Sequence, residues 1–290
     1  MSRLRRSLLF VTGADAGALE RARDAGADTL ILDLEDTVAP DRKAEARRVV
    51  TTFLAAPRTA ETELAVRINA VGTIESSDDV RDAARAGADA LVVPKTESVE
   101  TLRDLDARLG SLERSAGRHV GEIRLLPLIE TPGGVLNAAA IAKATPRVDA
   151  LVFGHVDLSR TLGIREAGAG EGTILHARAH LVLAAKAAAV QVIDAVFMRA
   201  GDPDGFEREA RQGLALGYTG KLLIDAEQVR LVHAVYAPTA DEIAYAERLV
   251  AAFETARADG RGLFVFEGRV IDLPVVEAER AVLARARRRS

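Results

Sequence analysis

Glu130 and Asp157 are the side chains whose types and setting point most directly to chemistry. Glu130 ends the apolar run of LLPLIETPGG, and Asp157 follows the apolar run of ALVFGHVDLS. Each run has the length and the turn-bounded composition of a buried parallel strand. Residues 134–144, GVLNAAAIAKA, have the length and composition of a connecting helix, so the two strands would lie side by side with their acids at adjacent ends. Two close carboxylates either share a proton or hold a divalent cation. The simpler alternative is that one caps a helix and the other pairs with an arginine.

Other local patterns offer less. His176 and His180 stand four apart in HARAH, a spacing that places two imidazoles on one helix face. The segment lacks the glutamate of a zincin, and its Ala and Leu neighbours read as helix packing. No serine sits in a GxSxG elbow and no GK[ST] loop occurs, so hydrolase and NTPase readings have no local support. GAGEG at 168–172 is a Gly-rich loop that follows the Asp157 strand and reads as a lid.

The elements that must position these groups alternate. RARDAGADTLILDLED (21–36) runs from a helix tail through a Gly turn into a buried strand, and DAARAGADALVVPKTE (82–97) and RQGLALGYTGKLLID (211–225) repeat the phrase. Apolar runs at 8–11, 29–34, 64–68, 90–93, 123–129, 150–153, 190–198 and 220–224 give eight strands. Helices are expected between them at 16–25, 42–55, 78–86, 98–109, 134–144, 174–189, 203–216 and 226–236. Eight alternations predict an α/β fold, a (β/α)8 TIM barrel over residues 1–238. An open dinucleotide-binding sheet would need GxGxxG after the first strand, and VTGADAG does not supply it.

Residues 239–290 break the alternation. A capped helix stops at Gly260, a hairpin turns at Glu267-Gly268, and a last helix starts at Pro274. This helix-hairpin-helix extension is too short to expect a core of its own, so it should pack on the barrel or on a neighbouring subunit.

Composition excludes several classes. The 290 residues are 48% hydrophobic and 28% charged with net charge −4, which leaves no broad basic field for nucleic acid or a membrane surface. The RLRR near residue 3 and the terminal RARRRS read as solvated ends. Cysteine is absent, which excludes disulfides, thiolate zinc sites and cysteine nucleophiles. Tryptophan is also absent and aromatics are only 4%, so no stacking platform is expected. With no apolar run of 18 residues and no signal-peptide pattern, the cytoplasm is the default expectation.

In a barrel of this kind the chemistry collects at the carboxyl ends of the strands. Those positions carry Glu35 and Asp36, Arg67 and Asn69, Lys95, Glu130, Asp157, Asp194 and Asp225. Acids dominate, an oxygen-donor set suited to Mg2+ or Mn2+. Asp36 could instead cap a helix, and Lys95 could pair with Glu35 or Glu130. Arg67 on an apolar strand needs an anion, because an unpaired buried guanidinium costs several kcal/mol, of order 3–5. Its partner is either Glu35 or a substrate carboxylate.

LDLEDTVAPDRKAEAR (32–47), VRIN (66–69), PK (94–95), LIETPGG (128–134) and FGHVDLS (153–159) together resemble the HpcH/HpaI aldolase and citrate lyase family. The tail FEGRVIDLPVVEAERAVLARA (266–286) resembles the C-terminal lid of its acyl-CoA lyase branch, the citrate lyase β-subunit-like proteins. The resemblance implies a Mg2+-dependent carbon–carbon lyase acting on a β-hydroxy acyl-CoA of the citryl-, malyl- or citramalyl-CoA type, giving acetyl-CoA and a 2-oxo acid. It further implies Glu130 and Asp157 as metal ligands and Arg67 as the substrate-binding and catalytic arginine. Glu130, Asn69 and Lys95 join Arg67 in holding substrate, and Asp36, with Glu35, positions metal-bound water. Asp272 matches a lid aspartate that reaches a neighbouring subunit's site, which implies a homo-oligomer, a trimer or a hexamer. One departure stands out: GKLLIDAEQ (220–228) has Asp225-Ala226 where the branch carries His-Pro. That departure keeps open an aldolase acting on free 2-keto acids. A non-catalytic acyl-CoA-binding barrel is the reading from outside enzymes.

Overall fold

Strands buried on both faces can be satisfied only by a sheet with no exposed face, and the chain closes one. The computed structural model describes residues 3–58, 62–165 and 171–287. Strands β1 (Ser7–Thr12), β2 (Thr29–Asp33), β3 (Glu63–Arg67), β4 (Ala90–Val93), β5 (Arg124–Ile129), β6 (Ala150–Phe153), β7 (Gln191–Asp194) and β8 (Gly220–Leu223) pair in parallel in chain order. β1 also pairs with β8, which closes the barrel. Helices α1 (Ala16–Arg23), α2 (Lys43–Ala55), α3 (Ile74–Ala86), α4 (Val99–Ser115), α5 (Pro132–Ile141), α6 (His155–Thr161), α7 (Gly172–Ala187), α8 (Pro203–Leu216) and α9 (Glu227–Tyr236) fill the connections. The expected (β/α)8 barrel is the fold. Leu8, Ile31, Ala65, Val92, Leu126, Val152, Ile193 and Leu222 are among the residues that pack its interior.

The two ends of the barrel differ in charge balance. At the amino ends Arg5, 1% exposed, donates from Nε and Nη2 to Glu63 and from Nη1 to Asp149, each at 2.7 Å. Arg124 adds a second cation 3.3 Å from Asp149 and balances the cluster, which ties β3 and β6 to the N-terminal segment, a stabilising role. The carboxyl ends carry the acid surplus described below.

Two local departures from the sequence-based expectation have physical causes. β7 stops at Asp194 instead of running to 198, because Ala195 N–H donates to Asp194 Oδ1 at 2.9 Å and Ala195 O accepts from Lys221 Nζ at 2.7 Å. Side chains thus take the groups a longer ladder would have used. After β6 the chain enters the short helix α6, which places Asp157 in a first helical turn and not at a bare strand end.

Contacts divide the chain into Met1–His233 and Ala234–Ser290. The second unit contains α10 (Ala240–Ala258), β9 (Phe264–Phe266), β10 (Arg269–Ile271) and α11 (Leu273–Arg287). α10 opens on a capping box between Thr239 and Glu242. The β9–β10 turn has φ of 47° at Glu267 and 79° at Gly268, the positive pair that a two-residue hairpin favours. Contrary to the expectation from length, this unit holds a small core, with Leu249, Phe253, Ile271 and Val276 buried together. The hairpin supplies Ile271 and α11 supplies Val276, and both cover α10. The GAGEG lid reading falls on 168–172, of which 168–170 lie outside the described residues. Among the described residues no helix is long and apolar enough to cross a membrane.

Candidate active site

Asp33 and Arg67 are register partners at the carboxyl ends of β2 and β3. Arg67 Nε and Nη2 donate to the two Asp33 oxygens at 2.6 Å each, a bidentate pair with Asp33 fully buried. Burial alone would raise the Asp33 carboxyl, but the Arg67 fork, the Thr37 hydroxyl at 2.6 Å and the Glu35 N–H at 2.9 Å hold it below its ordinary value. Arg67 is raised above its usual range despite burial, through Asp33, Glu35 and Asp36. Its remaining nitrogen, Nη1, faces Glu35 Oε2 at 3.2 Å and Asp36 Oδ2 at 3.5 Å. Its guanidinium carbon lies 4.8 Å from the centre of the Phe10 ring.

Sequence reasoning missed Asp33. The signal was present: an ionisable residue inside a continuous apolar run needs a partner, and the β2–β3 register supplies Arg67. Lys43 was missed as well. Its Nζ donates to the carbonyls of Leu34 (2.8 Å) and Glu35 (2.5 Å), which fixes the loop that carries Glu35 and Asp36.

Lys95, just past β4, adopts φ of +50°, a left-handed conformation that costs of order 1–3 kcal/mol for a non-glycine residue. The twist aims its N–H at Glu130 Oε1, 2.9 Å away, while Nζ pairs with Glu35 Oε1. Lys95 therefore links the β2, β4 and β5 ends. Burial raises Glu35 in spite of Arg67 and Lys95.

Glu130 is 3% exposed. Burial pushes its carboxyl up to about 8; the Lys95 N–H works against the shift, and the Glu35 and Asp157 charges add to it. Asp157 Oδ1 accepts from Arg160 Nη2 at 2.7 Å and Nε at 3.1 Å. Asp33, Glu35, Asp36, Glu130 and Asp157 thus face, among the described residues, only Arg67, Lys95 and Arg160, an excess of negative charge that a bound cation would relieve. Among the described residues no group of three or more His, Cys, Asp or Glu gathers to hold a metal, at His176 and His180 or elsewhere. A cation on Glu130 and Asp157 would take its other ligands from water or substrate, as Mg2+ commonly does.

The other expected residues fall elsewhere. Asn69 Nδ2 donates to Leu34 O at 3.0 Å and Asp79 Oδ2 at 2.7 Å, so its amide nitrogen braces the loop after β2. Asp194 is buried against Arg178, with Lys221 Nζ at 3.6 Å. Asp225 is exposed and accepts from Glu227 N at 2.9 Å, a local turn contact at the start of α9. Asp272, in the second unit, is exposed and accepts from Val275 N at 3.4 Å at the start of α11.

A closed barrel whose carboxyl-end loops carry this acid cluster around the buried Arg67 defines a (β/α)8-barrel enzyme. The family model of HpcH/HpaI aldolase/citrate lyase matches residues 6–226. The citrate lyase subunit beta of Escherichia coli (strain K12) is 38% identical over 98% of this chain and 94% of its own. The (3S)-malyl-CoA thioesterase of Cereibacter sphaeroides (strain KD131) is 36% identical over 97% and 94%. The crystal structure of CitE from Mycobacterium tuberculosis with magnesium, acetoacetate and coenzyme A superposes with a TM-score of 0.81 at 31% identity, covering 98% of both chains. The chain belongs to the HpcH/HpaI aldolase/citrate lyase family, as a carbon–carbon lyase.

Gly154 shows how tightly Glu130 is held. A Cβ at Gly154 would come within 2.7 Å of Glu130 Cβ and 2.8 Å of its Oε2. Gly154→Ala must therefore displace the Glu130 stem, and a shift near 1 Å costs roughly a hundredfold in activity. Steady-state kinetics beside a thermal melt would test this. Unchanged turnover would mean that the position of Glu130 does not matter.

Proposed function

We propose that the chain cleaves or forms a β-hydroxy acyl-CoA of the citryl-, malyl- or citramalyl-CoA type, with acetyl-CoA and a 2-oxo acid as products. Mg2+, or Mn2+ in its place, would be held by Glu130 and Asp157. The observation that carries this reading is the buried Glu130 carboxyl, pushed up to about 8 among other acids at the barrel mouth of a family lyase. Bound there, the cation would supply Lewis-acid polarisation of the oxo-acid oxygens.

The chain's own residues supply the rest. Arg67, oriented by Asp33, presents Nη1 toward the mouth to hold the oxo-acid carboxylate and offset developing negative charge. Lys95 keeps Glu35 and Glu130 in place from one strand end. Glu35 and Asp36 would orient water around the bound cation. In the cleavage direction the hydroxyl proton leaves as its carbon becomes a carbonyl, and the carbon beside the thioester takes up a proton. Asp272 is the proposed group for that proton traffic.

Residues 1–238 would form the catalytic barrel and 239–290 a lid that completes a neighbouring copy's site in a homotrimer or hexamer, in the cytoplasm. Leu263, Val265, Val270 and Leu273 of the second unit are 61%, 69%, 63% and 51% exposed, apolar surface suited to a neighbour. Mixing Asp272→Asn subunits with Arg67→Ala subunits should then restore part of the activity. A monomer in sedimentation, or no rescue in verified hetero-oligomers, would overturn the shared site.

Thermal melts separate the alternatives. Stabilisation by both Mg2+ and acetyl-CoA is expected for the acyl-CoA lyase. A shift with Mg2+ alone would favour the free-acid aldolase that Asp225-Ala226 keeps open, and no shift with either would favour the non-catalytic barrel.

A further inference from the structure

A cavity of about 690 Å3 opens beside the end of β7 and the first turns of α8, and none of the acid-cluster residues lines it. Its volume is that of a small-molecule site. One wall is the apolar run Val196, Phe197 and Met198. Phe197 packs edge-on against Phe206 with centroids 5.9 Å apart, which stiffens that wall, while Met198 remains 49% exposed.

Beside buried His155 of α6, two polar groups of the floor are already satisfied. Glu209 Oε1 accepts from Lys221 Nζ and Gln212 Oε1 from Arg178 Nη1, each at 2.7 Å. Two lining cations are not. Arg199 and Arg208 are exposed and make neither a hydrogen bond nor an ion pair among the described residues. Glu171, also exposed, brings one opposing charge to the rim. With Glu209 cancelled by Lys221, the lining keeps a positive charge beside an apolar wall. Guanidinium forks match carboxylate and phosphate oxygens in pairs, and the apolar wall suits a short carbon body.

We propose that this cavity is a second ligand site that binds a small organic dianion, a phosphate ester or a short dicarboxylate, through Arg199 and Arg208. The chemistry shared by the two is a pair of negative charges on oxygen, and the test distinguishes them. The full chain, free of divalent cation, is titrated calorimetrically with inorganic phosphate and separately with succinate. At least one probe should bind the wild type, and the Arg199→Ala/Arg208→Ala double variant should weaken that binding at least tenfold. Both positions are exposed, so the variant should melt with the wild type. Arginine-selective labelling read by mass spectrometry should show Arg199 and Arg208 protected by the same probe. Binding of phosphate alone assigns a phosphate ester, and binding of succinate alone assigns a dicarboxylate. Failure of both probes to bind, equal binding by the double variant, or labelling of both arginines undiminished by the probe would overturn the proposal.

Discussion

Glu130→Gln is expected to lower kcat/KM by about a thousandfold or more, equivalent to roughly 4 kcal/mol of lost transition-state stabilisation, while the barrel stays folded. Glutamine matches the volume of the side chain and can still accept the Lys95 N–H at Oε1, so the strand-end geometry survives. What it lacks is the charge that would hold a cation. Cation-free stability should move the other way. Glu130 has a folded-state pKa of about 8 against an ordinary 4.5, so between those values the folded chain binds more protons than the unfolded one. Its contribution is fully present below about pH 4.5 and is lost as pH rises through about 8. The glutamine variant should lose that dependence and melt at or above the wild type near the alkaline end. Cation binding must displace the proton, so stabilisation of the wild type by Mg2+ should be larger near about pH 8.5 than near about pH 6.5. Full activity in the variant would remove Glu130 from the site.

The second large effect is expected at Arg67. Arg67→Lys should cost at least about tenfold in kcat/KM, because a lysine ammonium cannot give two parallel bonds to Asp33 and still present a donor to the mouth. The same change leaves an Asp33 oxygen buried with a poorer partner and forfeits the contact over Phe10. Breaking a buried pair outright costs about 3–5 kcal/mol, so the melting temperature should fall too. Asp33→Asn separates the two roles. It keeps the Arg67 charge but loosens its aim, and should lower kcat more than it raises KM. A lysine variant that is destabilised yet fully active would make Arg67 a structural residue.

The barrel was legible in the sequence because strands buried on both faces are continuous apolar runs, and Gly turns with recurring helix tails mark the alternation. The strand-end rule also brought Glu35, Asp36, Arg67, Lys95 and Glu130 to one mouth. Asp33 escaped because an acid one step inside a strand looks like part of its apolar run until register pairs it with Arg67. The sequence leaves Arg67 with Glu35 or a substrate as its partner, and the structure divides its partners by nitrogen, with Nε and Nη2 on Asp33 and Nη1 toward Glu35 and the mouth. The bracing of Asn69 by Asp79 joins a residue after β3 to one within α3, and only tertiary packing sets which donors are left for a ligand. The left-handed turn at Lys95 was only half marked in the sequence: Pro94 before it suits the second position of a turn, but the third position, with its positive φ, usually takes glycine or asparagine.

The most direct test is to supply citryl-, malyl- and citramalyl-CoA with and without Mg2+ and to separate acetyl-CoA from free CoA among the products. The structure and its relatives predict acetyl-CoA and an equimolar 2-oxo acid from at least one of the three, only with the cation present, and none from Glu130→Gln. Free CoA as the sole thiol product would point to thioester hydrolysis, and cation-independent turnover or an active Glu130→Gln variant would contradict the assignment of the site.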